Sequence, residues 1–217
     1  MPVSRRSLLA IAGLLPFLAT VSTAAALAGE PTAKALRLGR FYDGLDVEAL
    51  WPAGKHIDWE TGVPDGRPET YPGKHTHCSA FVAAAAKRLG IYILRPPEHG
   101  QVLLANAQSD WLAAGVGDGW QSLPDMDAAQ DAANRGLFVV ASYHNHRDDR
   151  PGHIAIVRPS AKSLETVAAE GPDVIQAGGR NYTRTSLVTG FSGHPAGWRD
   201  HEIRYYAHAV DDAALKP

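Results

Sequence analysis

The chain has 217 residues, 21 lysines and arginines against 23 aspartates and glutamates, a formal charge of −2, and a single cysteine. That balance argues against nucleic acid or an anionic membrane surface as the main partner. One cysteine excludes a disulfide framework, and 45% apolar residues with no internal repeat describe a folded, enzyme-sized chain.

The first segment reads as an export signal. Ser4-Arg5-Arg6-Ser7 is a charged opening, Leu8 to Ala19 an apolar run, and Ala26-Leu27-Ala28 a small-x-small cleavage site. Residues 1–28 are therefore expected to be a signal peptide of twin-arginine type, handled by the twin-arginine export machinery, with the mature chain starting at Gly29. The apolar run is too short to cross about 30 Å of hydrocarbon, and no cysteine stands near the cleavage site to carry lipid. The expected location is periplasmic or extracellular, with no stable membrane anchor. Residues 29–217 are expected to form one loop-rich α+β domain, whose elements are kept short by most of the chain's 15 prolines and 21 glycines.

The next signal is Lys74 to Gly90. Phe81, Ala85 and Leu89 recur every four residues with Val82 and Ala86 beside them, and Gly90 closes the run. This predicts an amphipathic helix of about three turns, entered through Pro72-Gly73, with Cys78 in its first turn. Further helices are predicted around Val102–Ala113 and Asp125–Asn134, carrying or flanked by Trp111 and Trp120, which either stack on a substrate or fill core. Leu137–Tyr143 and His153–Arg158 read as a β-hairpin joined by residues 144–152, the second strand entered through Pro151-Gly152 and stopped by Pro159. Pro172–Gly179 reads as a third strand.

An unpaired cysteine in an exported chain is a chemical liability unless it has a use. At a helix N-terminus, free amides and the helix dipole favour the thiolate and could hold an oxyanion. Cys78 is thus a candidate nucleophile, with the amides of Cys78 and Ser79 as oxyanion donors. A thiolate mechanism needs a base, and His153, the first residue of a β-branched strand, is the candidate. An imidazole needs its far nitrogen held. Gln176, the only uncharged polar residue of the third strand, could accept that bond or could simply serve the strand end. Asn181 is the substitute if Gly178-Gly179 bends the chain back.

In that order, HCSAFVAAAAKRLG, GHIAIV and VIQAGG resemble the NlpC/P60 and CHAP families of cysteine peptidases, over Tyr71–Leu89 and Gly152–Gly179. The resemblance implies a papain-like α+β fold in which a helix with an N-terminal cysteine packs on an antiparallel sheet. It implies hydrolysis of peptidoglycan peptides, with Cys78 as nucleophile, His153 as base, Gln176 as orienting residue and Tyr71 lining the site, and needs no metal or cofactor. His77 and Ala80 stand where NlpC/P60 members usually carry Asp and Gly. A rival reading takes His75, His77 and Cys78 with His144, His146 and His153 as a periplasmic copper or zinc site. A third is a non-catalytic peptidoglycan-binding protein of the same fold.

Overall fold

The computed structural model describes residues 29–67, 76–115 and 119–215. The signal segment, Tyr71 and His75 lie outside the described residues. In chain order the elements are α1 (Ala33–Asp43), α2 (Cys78–Arg88), α3 (Leu104–Ala113), β1 (Trp120–Leu123), α4 (Met126–Asn134), β2 (Phe138–Tyr143), β3 (His153–Val157), α5 (Leu164–Glu170), β4 (Asp173–Gln176), β5 (Tyr182–Ser186), α6 (Leu187–Gly190), α7 (Pro195–Arg199) and β6 (Arg204–His208). The strands form one antiparallel sheet in the order β1-β6-β2-β3-β4-β5, so the fold is α+β.

The predicted hairpin is present, with Val139 opposite Val157 and Tyr143 opposite His153. Strand side chains alternate between faces, and β3 divides its residues accordingly. Ile154 and Ile156 join the apolar cluster that contains α2, including Cys78 and Phe81. Ala155 and Val157 join the opposite cluster, with Tyr143, Leu187 and Phe191. In β4, Ile175 belongs to the first face and Val174 to the second. His153 and Gln176 therefore fall in phase with the second face, while Cys78 belongs to the first.

The helix caps are local. Thr32, Asp125 and Ser163 each accept a backbone amide from the first turn of α1, α4 and α5 through their side chains. Two expectations change. Helix α2 is not amphipathic over most of its length: every residue from Cys78 to Ala86 is buried, and only Lys87 and Arg88 emerge. Alanine offers no polar group to mark an outer face, so the pattern reads as one-sided although neighbours wrap the helix. The strand expected over Pro172–Gly179 stops at Gln176, because the Gly178 amide donates to Asn181 Oδ1 (3.0 Å) and the chain turns away.

At the far end of β3 the buried guanidinium of Arg158 donates through Nη1 to the Thr183 carbonyl (2.9 Å) and through Nη2 to Asp43 Oδ1 (2.6 Å). Its backbone amide donates to the Asp173 carbonyl (2.7 Å), continuing the β3–β4 edge. No described helix is long and apolar enough to cross a membrane.

Candidate active site

His153 and Gln176 are both buried, and His153 Nε2 lies 2.7 Å from Gln176 Oε1. The orientation of the glutamine amide follows from its other bond. Gln176 Nε2 donates to the Arg180 carbonyl (3.3 Å), which can only accept, so the oxygen must face the imidazole. His153 therefore carries its proton on Nε2, and Nδ1 is the free base. Room for this amide depends on Gly190, where an added Cβ would come 2.9 Å from Gln176 Oε1. The β4–β5 pairing also shifts register between Val174 and Gln176, an irregularity of the kind that re-aims a side chain at a strand end.

The imidazole is enclosed by Phe191, edge-on at 4.6 Å between ring centroids, and by His194, stacked at 5.5 Å with 17° between planes. Burial pushes the His153 pKa down to about 4, partly opposed by the bond to Gln176. Burial also lowers His194 to about 4, with a further contribution from His153. Both rings are neutral near pH 7. Neither Phe191 nor His194 was found from the sequence, since Phe191-Ser192-Gly193-His194-Pro195 carries only loop signals; the one available hint was a His-Pro pair suited to a helix start.

Cys78 is the first residue of α2 and is 3% exposed. Amides two residues apart on a strand share an edge. Arg158 turns its amide toward β4, and Ile156 pairs there with Ile175, so Ile154 uses the same edge. The described ladder ends before Ile154, because β4 has stopped at Gln176. The Ile154 amide acts on the Cys78 thiol, as do those of Ser79 and Cys78 itself. The thiol therefore lies near the start of β3, on the α2 face of the sheet, whereas His153 is in phase with the opposite face. Among the described residues no hydrogen bond joins the sulfur to the imidazole.

The expectation of a thiolate at rest is corrected. Burial raises the Cys78 pKa, and the three amides, acting in the opposite direction, do not overcome it. Helix position alone predicted the wrong sign because it says nothing about how completely the neighbours exclude water.

Asn106, unforeseen from the sequence, fixes the loop that delivers His153. Its Oδ1 accepts the amides of Gly152 (2.7 Å) and Asn145 (3.1 Å), and its Nδ2 donates to the Arg150 carbonyl (2.9 Å). Gln108, one helical turn ahead along α3 relative to Leu104, donates to the Ser79 carbonyl (3.2 Å) and so ties α3 to the start of α2.

Other candidates take different places. Asn181 does not reach the imidazole; it holds Gly178 and donates to the carbonyls of Val47 (2.7 Å) and Leu50 (2.9 Å). Trp111 is partly buried at the core edge against Tyr92 (5.6 Å), and Trp120, also partly buried, donates its indole N–H to the Tyr92 carbonyl (2.8 Å). The histidines of the metal reading are dispersed among separate partners. His77 bonds the Lys55 carbonyl, His144 lies 3.4 Å from Asp110, His146 2.7 Å from Glu202, and His153 holds Gln176. Among the described residues no three histidine, cysteine or acidic side chains gather as a metal site.

A cleft of about 320 Å³ opens over the imidazole, lined by His153, Gln176, His194, Gly190, Thr76 and Arg180 among others. A neutral base with a bare Nδ1, held by a neutral acceptor and facing a cleft, can take one proton and return it; a thiol among three amides can form a covalent bond beside them. No protein-family profile matches this chain, and no curated protein matches it in sequence.

Proposed function

We propose that the protein is an exported, papain-like cysteine hydrolase that cleaves amide bonds of peptidoglycan peptides through a thioester. The observation that carries this reading is the His153–Gln176 bond, which leaves Nδ1 unprotonated in a cleft at the start of β3, the strand whose Ile154 amide acts on the Cys78 thiol. The resemblance of the three segments to NlpC/P60 and CHAP peptidases supplies the substrate class.

In the proposed reaction the Cys78 proton passes to His153 Nδ1 as the sulfur bonds to the substrate carbonyl carbon. The carbonyl oxygen becomes an oxyanion, held by the amides of Cys78 and Ser79. The tetrahedral adduct breaks its C–N bond, and the leaving amine takes the proton from Nδ1. Water then attacks the thioester, giving its proton to Nδ1; the C–S bond breaks and the thiol regains that proton. Because both groups are neutral at rest, the ion pair forms during attack, with Gln176 holding the imidazolium through its amide oxygen. Bringing the sulfur and Nδ1 into contact is assigned to substrate binding, since catalytic bonds commonly tighten only in the complex.

Incubating residues 29–217 with muropeptides and identifying the fragments by mass tests the reading. Cleavage that disappears in Cys78→Ala supports it, and intact muropeptides with the folded wild-type protein refute it.

The buried, protonated thiol favours a second reading, a peptidoglycan-binding protein of the same fold without turnover. It separates from the first by saturable muropeptide binding with no fragment released.

A further inference from the structure

The turn after β4 separates two cavities. Gly179, Arg180 and Tyr182 line both the cleft over His153 and a second cavity of about 380 Å³, whose other walls are Glu48, Pro52, Ala53 and Asn181. The turn is registered to the candidate catalytic group, because the Arg180 carbonyl accepts from Gln176 Nε2 and Asn181 fixes Gly178.

The second cavity carries one charge of each sign. The Arg180 guanidinium stacks on the Tyr182 ring at 5.2 Å and makes no hydrogen bond or ion pair among the described residues. Glu48 accepts the Thr183 amide through Oε1 (2.9 Å) and is bonded by the Thr183 side chain as well, which fixes the carboxylate to the start of β5. The amide and side chain of Thr183, and to a smaller extent the field of Arg180, hold the Glu48 carboxyl below its ordinary pKa. The two side chains thus line one cavity, feel each other and are not paired. Opposite, solvent-exposed charges that line one cavity without bonding each other suit a ligand that carries both charges itself.

We propose that this second cavity is a binding subsite for a zwitterionic amino-acid unit, its carboxylate on Arg180 and its ammonium on Glu48. For its occupant the proposal rests on the hydrolase reading: the unit would be an unblocked residue of the peptide whose scissile amide lies over His153. It would make the protein select peptides by a free amino-acid centre, not by the bond cut. Neither residue touches the reacting atoms in this scheme.

The test uses alanine of either hand, N-acetylalanine and alaninamide as probes, titrated into the ¹⁵N-labelled protein. Alanine is expected to shift the amides of residues 179–183, and each blocked form to bind about tenfold more weakly, as for the loss of one charge-assisted contact. Arg180→Gln should cancel the penalty for alaninamide, and Glu48→Gln, which keeps an acceptor for Thr183, the penalty for N-acetylalanine. No shift at 179–183, equal binding of all three probes, or penalties unchanged in the variants would overturn the subsite. Hydrolysis of muropeptides is read separately, so an inactive protein that shows the expected pattern keeps the subsite and loses only the hydrolase reading.

Discussion

The two ends of strand β3 both bury a basic side chain, and they do so in opposite ways. At the C-terminal side the Arg158 charge is kept and answered by Asp43, the Thr183 carbonyl and the Tyr42 ring. At the N-terminal end His153 has one polar partner, stays neutral and keeps a ring nitrogen unspent. A buried polar group used for structure has its charge paired, because an unpaired one costs stability. A buried group with unspent bonding capacity beside a cleft is placed for chemistry. Substitutions at the two ends should therefore divide into those that stop turnover and those that lower stability.

The largest effect is expected at the His153 end. Cys78→Ala and His153→Ala should lower kcat/KM for muropeptide cleavage by about 10⁴-fold or more while circular dichroism stays native, since each removes a group the covalent route requires. Gln176→Ala should cost less, about 10- to 100-fold, because a neutral acceptor steers the imidazole and supports its charge more weakly than a carboxylate does. A Gln176 variant as inactive as Cys78→Ala would place that side chain on the substrate itself; a fully active one would remove it from the site.

At the Arg158 end the order reverses. Asp43→Ala leaves a buried cation without its anion and should lower unfolding free energy by about 2 kcal/mol, below the usual figure for a broken buried pair because the Asp43 side chain is 57% exposed. Urea unfolding measures this, and kcat/KM should stay within about twofold. A large loss of activity without a loss of stability would erase the distinction between the ends.

Acid should separate them as well. The folded-state pKa of His153 is depressed, so its contribution is intact above the unfolded value of 6.5 and is lost as pH falls toward 4. That loss amounts to about 3 kcal/mol once complete, and His194 adds to it in the same window. Unfolding free energy measured from pH 7 to 4 should fall in the wild type and fall less in His153→Gln. The smallest effect concerns the thiol: native Cys78 should alkylate more slowly than a free thiol at neutral pH, and at the free rate after denaturation, because burial raises its pKa.

What was legible in the sequence follows the range of each signal. The period-four pattern located α2 and the β-branched run the β2–β3 hairpin, because each expresses its own burial, and α3 and α4 also lie where helices were expected. Gln176 stood out as a lone uncharged polar residue in a strand, and the structure puts its oxygen on the imidazole. The same reading missed His194, Phe191 and Asn106, which reach His153 or its loop from distant segments with no local pattern to announce them. Short α5, α6 and α7 were missed for a related reason: four to seven residues hold too few turns to show a period. The error about the Cys78 thiolate has the same origin, since desolvation belongs to the packed whole and not to the helix end.

The most direct measurement mixes wild-type protein with muropeptide, quenches in acid within a turnover and weighs the intact protein and its Cys78 peptide. A covalent hydrolase gives a mass increase equal to the acyl fragment, located on Cys78, labile to hydroxylamine and absent from Cys78→Ala. An unmodified Cys78 peptide throughout, in a protein that binds muropeptide and releases no fragment, would contradict the thioester route and leave a binding protein in its place.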